Sequence, residues 1–379
     1  VRRQDGRTTK TMAEPSTMVP VAVLQGFIAE IFTAAGCDAA EGKQVAHHLL
    51  SANLTGHDSH GVIRTPRYIQ WLQEGKVRAG QSLTVVHDTP THAIVDGNYG
   101  LGQTIGPLAV DLGIAKAREH GLAVIGLRNS GHIGRIGDWG ERAAAQGLIS
   151  IHFVNVQAGE LVAPFGGVDR RFSTNPVCIG VPTKEGPIIL DFATSLVAEG
   201  KVLVASNGGK PVPAGSLIEP DGQLSVDPRT LYGEIAGSHV RDSAKGAGAL
   251  RAFGEHKGSG LAFMCEILAG CLTGGGTSGP IPGGKRSRIA NGMLSIYLSP
   301  GSFGAAQFED AAREYAGYVK ASRPAEQGVE VLIPGEPESR IRAERLAKGI
   351  PLQPDTWAAI CATARGLGLT PPAVAVPNG

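Results

Sequence analysis

The sequence has little of what several classes of protein require. Aromatic residues are only 5% of its 379 positions, and the formal net charge is +1. A surface that stacks nucleic-acid bases needs aromatic side chains, and one that binds a phosphate backbone or an anionic membrane needs excess positive charge. No apolar run approaches the roughly 20 residues that a membrane-spanning helix requires. Nucleic acids and membranes are therefore not expected as partners.

Cysteine is also scarce and scattered. There is no C-x-x-C pair, and most of the five cysteines lie in apolar segments; they are Cys37, Cys178, Cys265, Cys271 and Cys361. This pattern favours buried, reduced thiols in a cytoplasmic protein over a disulfide framework or a zinc site. Residues 1–19 are mostly polar, lack the apolar core of a secretory signal, and are predicted to be a disordered leader.

Glycine, by contrast, is abundant. Its 54 residues are spread along the chain, which indicates many tight turns between short elements. Helical periodicity covers residues 20–55, where Asp38 and Glu41 resemble a capping box. Residues 177–181 and 187–192 resemble a hairpin, and 329–333 has the pattern of a strand. We predict an α/β fold of the α+β type, with a largely antiparallel central sheet and surrounding helices.

The same patterns predict a division of the chain. A helical segment, 20–80, is expected to pack with C-terminal helices within 306–370. A sheet-containing domain is expected over 81–305. Within that domain, the Gly-, Ser- and Pro-rich stretch 274–292 is predicted to be a flexible loop.

The glycines do not form the dinucleotide-binding fingerprint G-x-G-x-x-G. Gly100, Gly102 and Gly106 have one residue too many between the last two, and the pair Gly258 and Gly260 lacks a third glycine. A Rossmann domain is therefore not predicted. This does not exclude a nicotinamide cofactor, because turn amides, helix N-termini and lysines bind pyrophosphate in other architectures.

The strongest chemical signal is a short turn that follows the second helix. It places Ser59 beside His60 between two glycines, with Arg64 four residues beyond the histidine. An imidazole exchanges a proton near neutral pH, and a guanidinium holds a carboxylate through two parallel hydrogen bonds. Together they predict a site that binds a small carboxylate-bearing substrate and moves one proton. The alternative interpretations are a turn cap and a surface salt bridge.

Six blocks of sequence, in order, resemble those of one enzyme family. They are Ser59–Arg64 (SHGVIR), Gly131–Gly134 (GHIG), Ser173–Pro182 (STNP, then GVP), Ile189–Val202 (ILDFATS, then GKV), Lys257–Gly274 (KGSGL, EILAG, LTG) and Pro334–Glu336 (PGE). Over about residues 20–370 the chain resembles the malate/L-lactate dehydrogenase family, which lacks a Rossmann fold. That family includes ureidoglycolate and sulfolactate dehydrogenases, diketogulonate reductase and piperideine-2-carboxylate reductase.

The resemblance implies the family-specific fold, a homodimer, and NAD or NADP bound by the domain 81–305. It implies an oxidoreductase that interconverts a small 2-hydroxy acid and a 2-oxo acid by hydride transfer. His60, in the segment 20–80, would be the proton donor, with Ser59 and Asp191 as relay partners. Substrate contacts would come from Arg64, Thr174 and His132. The cofactor would be lined by His132, Ile133, Gly134, Arg135, Ile136, Ile189, Leu190, Asp191, Phe192, Ala193, Thr194, Ser195, His256, Lys257, Pro334, Gly335 and Glu336.

Reduction of a carbonyl needs groups of this kind. Hydride addition makes the oxygen alkoxide-like, and a protonated imidazole neutralises it, which contributes about 10²–10⁴ in rate. A carboxylate near that imidazole would favour its charged form. Asp191 ends an apolar strand and so needs a polar partner. The residues alone do not decide whether His60 or His132 donates the proton.

Other functions remain open at this point. A cyclic ketimine reductase, acting on piperideine- or pyrroline-2-carboxylate, would use the same residues. A metal-dependent hydrolase is suggested by the cluster His47, His48, His57, Asp58 and His60. Its spacing differs from that of H-E-x-x-H, so no metal site is predicted. A non-catalytic dinucleotide sensor is a further alternative. NAD and NADP are not distinguished, because Arg170 and Arg171 suit either a 2′-phosphate or a salt bridge.

Overall fold

The computed structural model describes residues 16–206, 210–235, 241–280, 288 and 290–374. The strands in these ranges are β1 Thr17–Val19, β2 Thr84–Asp88, β3 His92–Asp96, β4 Leu122–Ser130, β5 Ile149–Gln157, β6 Val177–Val181, β7 Ile188–Phe192, β8 Leu217–Ile218, β9 Leu224–Ser225, β10 Ala249–Leu250, β11 Ala290–Leu298 and β12 Ile350–Leu352. The helices are α1 Val21–Ala34, α2 Ala39–Leu54, α3 Thr65–Gln73, α4 Gly102–His120, α5 Gly137–Ala144, α6 Glu199–Ser206, α7 Arg229–Tyr232, α8 His256–Cys265, α9 Phe308–Lys320, α10 Glu336–Lys348 and α11 Pro354–Gly366.

A seven-stranded sheet forms the centre of the fold, in the order β2-β3-β4-β11-β5-β6-β7. Its pairs are antiparallel except β3 with β4, which run parallel because α4 crosses over between them. The predicted hairpin is present as β6 and β7, and its register places Cys178 opposite Asp191. The prediction of a mixed fold with a largely antiparallel sheet and no Rossmann domain is confirmed.

Helices α4 and α5 pack on this sheet through side chains that fit closely. Trp139 and Tyr297 are among the largest fully buried side chains. Gly106 lies against the indole ring and Gly113 against the phenol ring, where an added Cβ would come within 2.7 Å and 2.1 Å of ring atoms. Side chains larger than hydrogen would therefore push the helix away from the sheet.

A second core joins the two ends of the chain. Residues of α1, α2 and α3 form one buried cluster with residues of β12 and α11, and Phe27 contacts Trp357 edge-on at 5.8 Å. Strand β1 pairs with β12, and Val19 is fully buried. The leader prediction is therefore wrong for Thr17–Val19, because backbone hydrogen bonds and apolar burial order these residues. Residues 1–15 lie outside the described residues.

Three smaller predictions need correction. The strand expected at 329–333 is wrong: Val329 is 50% exposed, and this stretch has no pairing partner among the described residues. The loop expected over 274–292 is wrong for Ala290–Gly292, which belong to β11; residues 281–287 and 289 lie outside the described residues. The cysteines are free thiols, and four are buried as expected, but Cys271 is exposed. Asp38 caps α2 as predicted, accepting hydrogen bonds from the amides of Ala40 and Glu41.

Candidate active site

The turn that carries His60 is fixed by side chains on both sides of it. Asp58 accepts two hydrogen bonds from the Arg345 guanidinium, at 2.6 and 2.9 Å, and one from the Asn53 amide at 2.6 Å. Asn53 also accepts a hydrogen bond from the Val62 amide at 2.8 Å. A Cβ at Gly61 would lie 2.2 Å from the Asn53 side chain. Only glycine fits at this position. The hydrogen bonds from Asn53 of α2 and Arg345 of α10 hold the turn between these two helices.

Two imidazole rings meet beside this turn. The rings of His60 and His132 stack with centroids 5.6 Å apart and planes 15° from parallel. Nδ1 of His60 lies 3.0 Å from the Ser59 hydroxyl. Burial, followed by the charges of His132 and Arg64, lowers the pKa of His60 well below its usual value of 6.5. His60 is therefore neutral at pH 7 in the free protein.

The second imidazole has a defined tautomer. The Tyr68 hydroxyl lies 2.5 Å from His132 Nδ1, and the Gly134 amide donates to the same nitrogen at 3.3 Å. Gln103 donates to the Tyr68 oxygen at 3.3 Å and to the His132 carbonyl at 3.2 Å. Because an amide donates to Nδ1, the ring hydrogen of the neutral imidazole is on Nε2. Burial lowers the pKa of His132 to about 3.

Arg64 is oriented by backbone and side-chain contacts. Its Nε donates to the Ser59 carbonyl at 2.6 Å, and its Nη2 lies 3.1 Å from a carboxylate oxygen of Glu199, the first residue of α6. The other oxygen of Glu199 accepts from the Tyr232 hydroxyl at 2.6 Å. Gly200 lets α6 approach the turn, because a Cβ there would lie 2.1 Å from the Ser59 Cβ.

Asp191 has polar partners, as its burial requires, and they are groups of the Arg135–Gly137 segment. It accepts a hydrogen bond from the Gly137 amide at 2.8 Å, and Arg135 Nε lies 3.8 Å from the same oxygen. Burial raises its pKa, and the charges of His57 and Arg135 oppose that effect. Among the described residues, the structure pairs His60 with Ser59 and gives no hydrogen bond between His60 and Asp191.

Segments predicted to line a cofactor converge on strand β7. The Thr194 amide and hydroxyl both donate to the Thr174 carbonyl, at 2.9 and 3.0 Å. The Thr194 carbonyl accepts from the Phe253 amide just before α8, where His256 and Lys257 are exposed. At the other end of β7, a Cβ on Gly335 would lie 3.2 Å from the Ile189 nitrogen. The loop Ile133–Ile136 leads into α5, whose first amide binds Asp191.

Four functional candidates were missed by the sequence analysis: Tyr68, Gln103, Glu199 and Tyr232. Tyr68 lies four residues after Arg64 at the start of α3, so helical spacing could have placed both on one face. Glu199 immediately precedes the GKV block. Gln103 and Tyr232 reach the site through tertiary packing that no local spacing reveals.

Two remaining predictions concern phosphate and metal binding. Arg170 donates hydrogen bonds to the carbonyls of Ser243, Gly246 and Gly248, which commits its guanidinium to local structure, while Arg171 pairs with Asp169 on the surface. In the described ranges, no three His, Cys, Asp or Glu side chains are arranged to hold a metal ion. None of the helices in those ranges is long and apolar enough to cross a bilayer.

The candidate site thus combines a stacked histidine pair with an oriented arginine, on a mixed sheet without a Rossmann unit. Residues 19–361 match the family model for malate/L-lactate dehydrogenase, and the chain belongs to this family of oxidoreductases that act on hydroxy acids. It is 41% identical over 348 residues to hydroxycarboxylate dehydrogenase B of Escherichia coli K12, covering 91% of this chain and 93% of that one.

Other relatives differ in the reaction that their names state. The chain is 35% identical to a Δ1-pyrroline-2-carboxylate/Δ1-piperideine-2-carboxylate reductase of Pseudomonas putida, over 82% of this chain and 89% of that one. The structure resembles sulfolactate dehydrogenase of Methanocaldococcus jannaschii with a TM-score of 0.79 at 31% identity, covering 93% and 98% of the two chains.

Proposed function

We propose that the protein is an NAD(P)-dependent dehydrogenase that interconverts a small 2-hydroxy acid and the corresponding 2-oxo acid, with His60 as the proton donor. The observation that supports this most directly is the stacking of His60 on His132 at 5.6 Å beside the Arg64 guanidinium. This arrangement offers a proton carrier, a second imidazole and a cation for a carboxylate within one small volume. We also propose that it acts as a homodimer in the cytoplasm.

The residues around β7 suit a nicotinamide dinucleotide. Gly335, with a φ of +92°, brings the loop before α10 against the Ile189 backbone, so this loop lies next to β7. Lys257 lies at the start of α8 and is exposed. It has no ion pair among the described residues, so its ammonium is available to a phosphate at this helix N-terminus. We propose that these segments, with Ile133–Ile136 and Leu190–Ser195, hold the cofactor, which when bound supplies or accepts the hydride.

The protein's own groups would handle the substrate and the proton. Arg64 would bind the carboxylate and thereby fix the adjacent carbon. His132, neutral with its hydrogen on Nε2, would donate a hydrogen bond, while His60 would carry the transferred proton and Ser59 would orient its ring. Burial, and after it the charges of His132 and Arg64, lower the pKa of His60. A substrate carboxylate beside Arg64 would offset the charge of that guanidinium, so substrate binding favours protonation of His60.

A cyclic ketimine reductase is the second candidate. It is supported by the relative from Pseudomonas putida, whose name states such substrates, and by the fact that an imine nitrogen also needs a nearby acid. Pyruvate, oxaloacetate and piperideine-2-carboxylate should each be assayed with NADH and NADPH through the nicotinamide absorbance. Turnover of a 2-oxo acid at least tenfold above that of the imine supports the dehydrogenase, and the reverse ranking supports the reductase.

A further inference from the structure

The arginine that the proposed function assigns to the substrate already holds a carboxylate of the protein. Glu199 lies 3.1 Å from Arg64 Nη2, and both side chains are 20% exposed. Both side chains of the pair therefore keep some contact with solvent. An ion pair of this kind is weak enough to be exchanged for a competing carboxylate.

Arg64 also has a hydrogen bond that does not involve Glu199. Its Nε donates to the Ser59 carbonyl at 2.6 Å, which fixes the plane of the guanidinium to the same turn that carries His60. Glu199 is held separately, by the Tyr232 hydroxyl at 2.6 Å on its other oxygen. Glu199 therefore contributes a negative charge at a site where the arginine is already in position.

A substrate carboxylate arriving at Arg64 meets this charge. Two carboxylates on one guanidinium repel each other, so either the affinity for substrate falls or Glu199 leaves.

We propose that Glu199 occupies the place of the substrate carboxylate on Arg64 in the free enzyme, and that the substrate displaces it from the guanidinium. This inference rests on the proposed role of Arg64 in binding the substrate acid group. Glu199 then lowers the affinity of the enzyme for its substrate, because it competes for Arg64. It also contributes to specificity, because a ligand without a carboxylate cannot form the ion pair that replaces it on Arg64.

The test is the variant Glu199→Gln in the full chain. Removing the competing charge should lower the KM for the preferred 2-oxo acid about fivefold, which is the strength of an ion pair that is in contact with solvent. It should also tighten binding of oxamate, a non-reducible 2-oxo acid analogue, measured by calorimetry with the reduced cofactor present. Tyr232→Phe should act in the same direction but less. Glu74→Gln, which removes one negative charge at the end of α3, serves as the matched control and should leave both values unchanged.

The outcomes separate this inference from the function beneath it. An unchanged or raised KM for the 2-oxo acid in Glu199→Gln, with weaker oxamate binding, overturns the proposal and makes Glu199 a residue that positions Arg64. If Arg64→Met leaves oxamate binding intact, the assigned role of Arg64 is itself wrong, whichever way Glu199→Gln behaves. Tighter oxamate binding in Glu199→Gln together with its loss in Arg64→Met supports both.

Discussion

The molecule has two pairs of neighbouring histidines close to arginines. The two pairs differ in whether a carboxylate of the protein binds one of the imidazole rings. In the candidate active site, His60 stacks on His132, and the described residues supply neither ring with a carboxylate. At the other place, His47 and His48 lie edge-on at 5.1 Å and line a cavity of about 620 Å³ between α2, α4, α5 and α10. His48 there binds Asp138 at 2.8 Å.

The cavity is large, but the charged side chains that line it form ion pairs with one another or with neighbouring residues. Asp138 also accepts hydrogen bonds from Ser51 at 3.0 Å and Arg135 at 2.9 Å. Glu141 lies between Arg135 and Arg342, at 2.7 and 3.1 Å. Asp111 and Arg142 form a bidentate pair. Each carboxylate lining the cavity thus has its partner within the protein, which is the pattern of a stabilising network.

The comparison shows that neither cavity size nor the presence of histidine identifies the chemistry. What distinguishes the candidate active site is that the described residues pair neither of its imidazoles with a carboxylate, so an anionic substrate can supply that partner.

Replacement of His60 by alanine should lower kcat for reduction of the 2-oxo acid by about 10²–10⁴, the usual contribution of a general acid. His132→Gln should cost less if His132 only donates a hydrogen bond. Steady-state kinetics for both variants, with cofactor binding followed by fluorescence, measures this. Near-normal turnover in His60→Ala, with a large loss in His132→Gln, would transfer the role of donor to His132.

Replacement of Arg64 by methionine should raise the KM for the 2-oxo acid about 30- to 100-fold and leave the KM for the cofactor nearly unchanged. The loss corresponds to one charge-assisted, bidentate interaction. Arg64→Lys keeps the charge without the fork and should fall between the two. Equal increases in both KM values would place Arg64 in general folding of the site and remove it from substrate recognition.

The pH dependence should show that His60 is neutral in the free enzyme. Oxidation of the hydroxy acid needs neutral imidazole as base, and burial with the charges of His132 and Arg64 lowers the pKa of that group. The kcat/KM for oxidation should therefore stay level from pH 8 to below 6.5 and fall only at lower pH, whereas kcat/KM for reduction should decline as the pH rises above that lowered pKa.

The variant Arg64→Met sharpens this test. Removing a positive charge favours the protonated imidazole, so the acidic limb of the oxidation profile should move to higher pH. Arg142→Gln, at the cavity, should leave the limb where it is. A wild-type limb at or above pH 6.5 contradicts the electrostatic account of His60.

Much of the site could be predicted from local spacing, and the rest could not, for physical reasons. Ser59, His60 and Arg64 are contiguous, so one turn brings them together. The hairpin of β6 and β7 is equally local. Strand β11, however, enters the sheet between β4 and β5 from more than 130 residues away, and no local periodicity encodes that choice of neighbours.

The partners of the candidate site residues could not be predicted from local sequence either. Arg64 meets Glu199, and His132 meets Tyr68, through contacts made across 135 and 64 residues. The prediction of a strand at 329–333 was wrong because it used local sequence alone. The apolar residues of this stretch alternate as in a strand, but a strand is stable only where another strand can pair with it. Residues 321–330 are exposed throughout.

The smallest effect on activity is expected at the cavity, where His47 and His48 are neighbours with different surroundings. His48→Gln loses the hydrogen bond to Asp138, whose side chain is 5% exposed, and should lower the free energy of unfolding by about 1.5–3 kcal/mol, as for hydrogen bonds to charged groups. His47→Gln, on an exposed side chain without such a partner among the described residues, should change it by less than about 0.5 kcal/mol. Urea denaturation at pH 7.5 measures both.

Turnover should stay within about threefold of the wild type in each variant, since we expect this network to stabilise the fold without contacting the substrate. A loss of turnover in His48→Gln comparable to that of His60→Ala would erase the distinction between the two histidine pairs and show that Asp138 and Arg135 carry part of the catalytic electrostatics through Asp191.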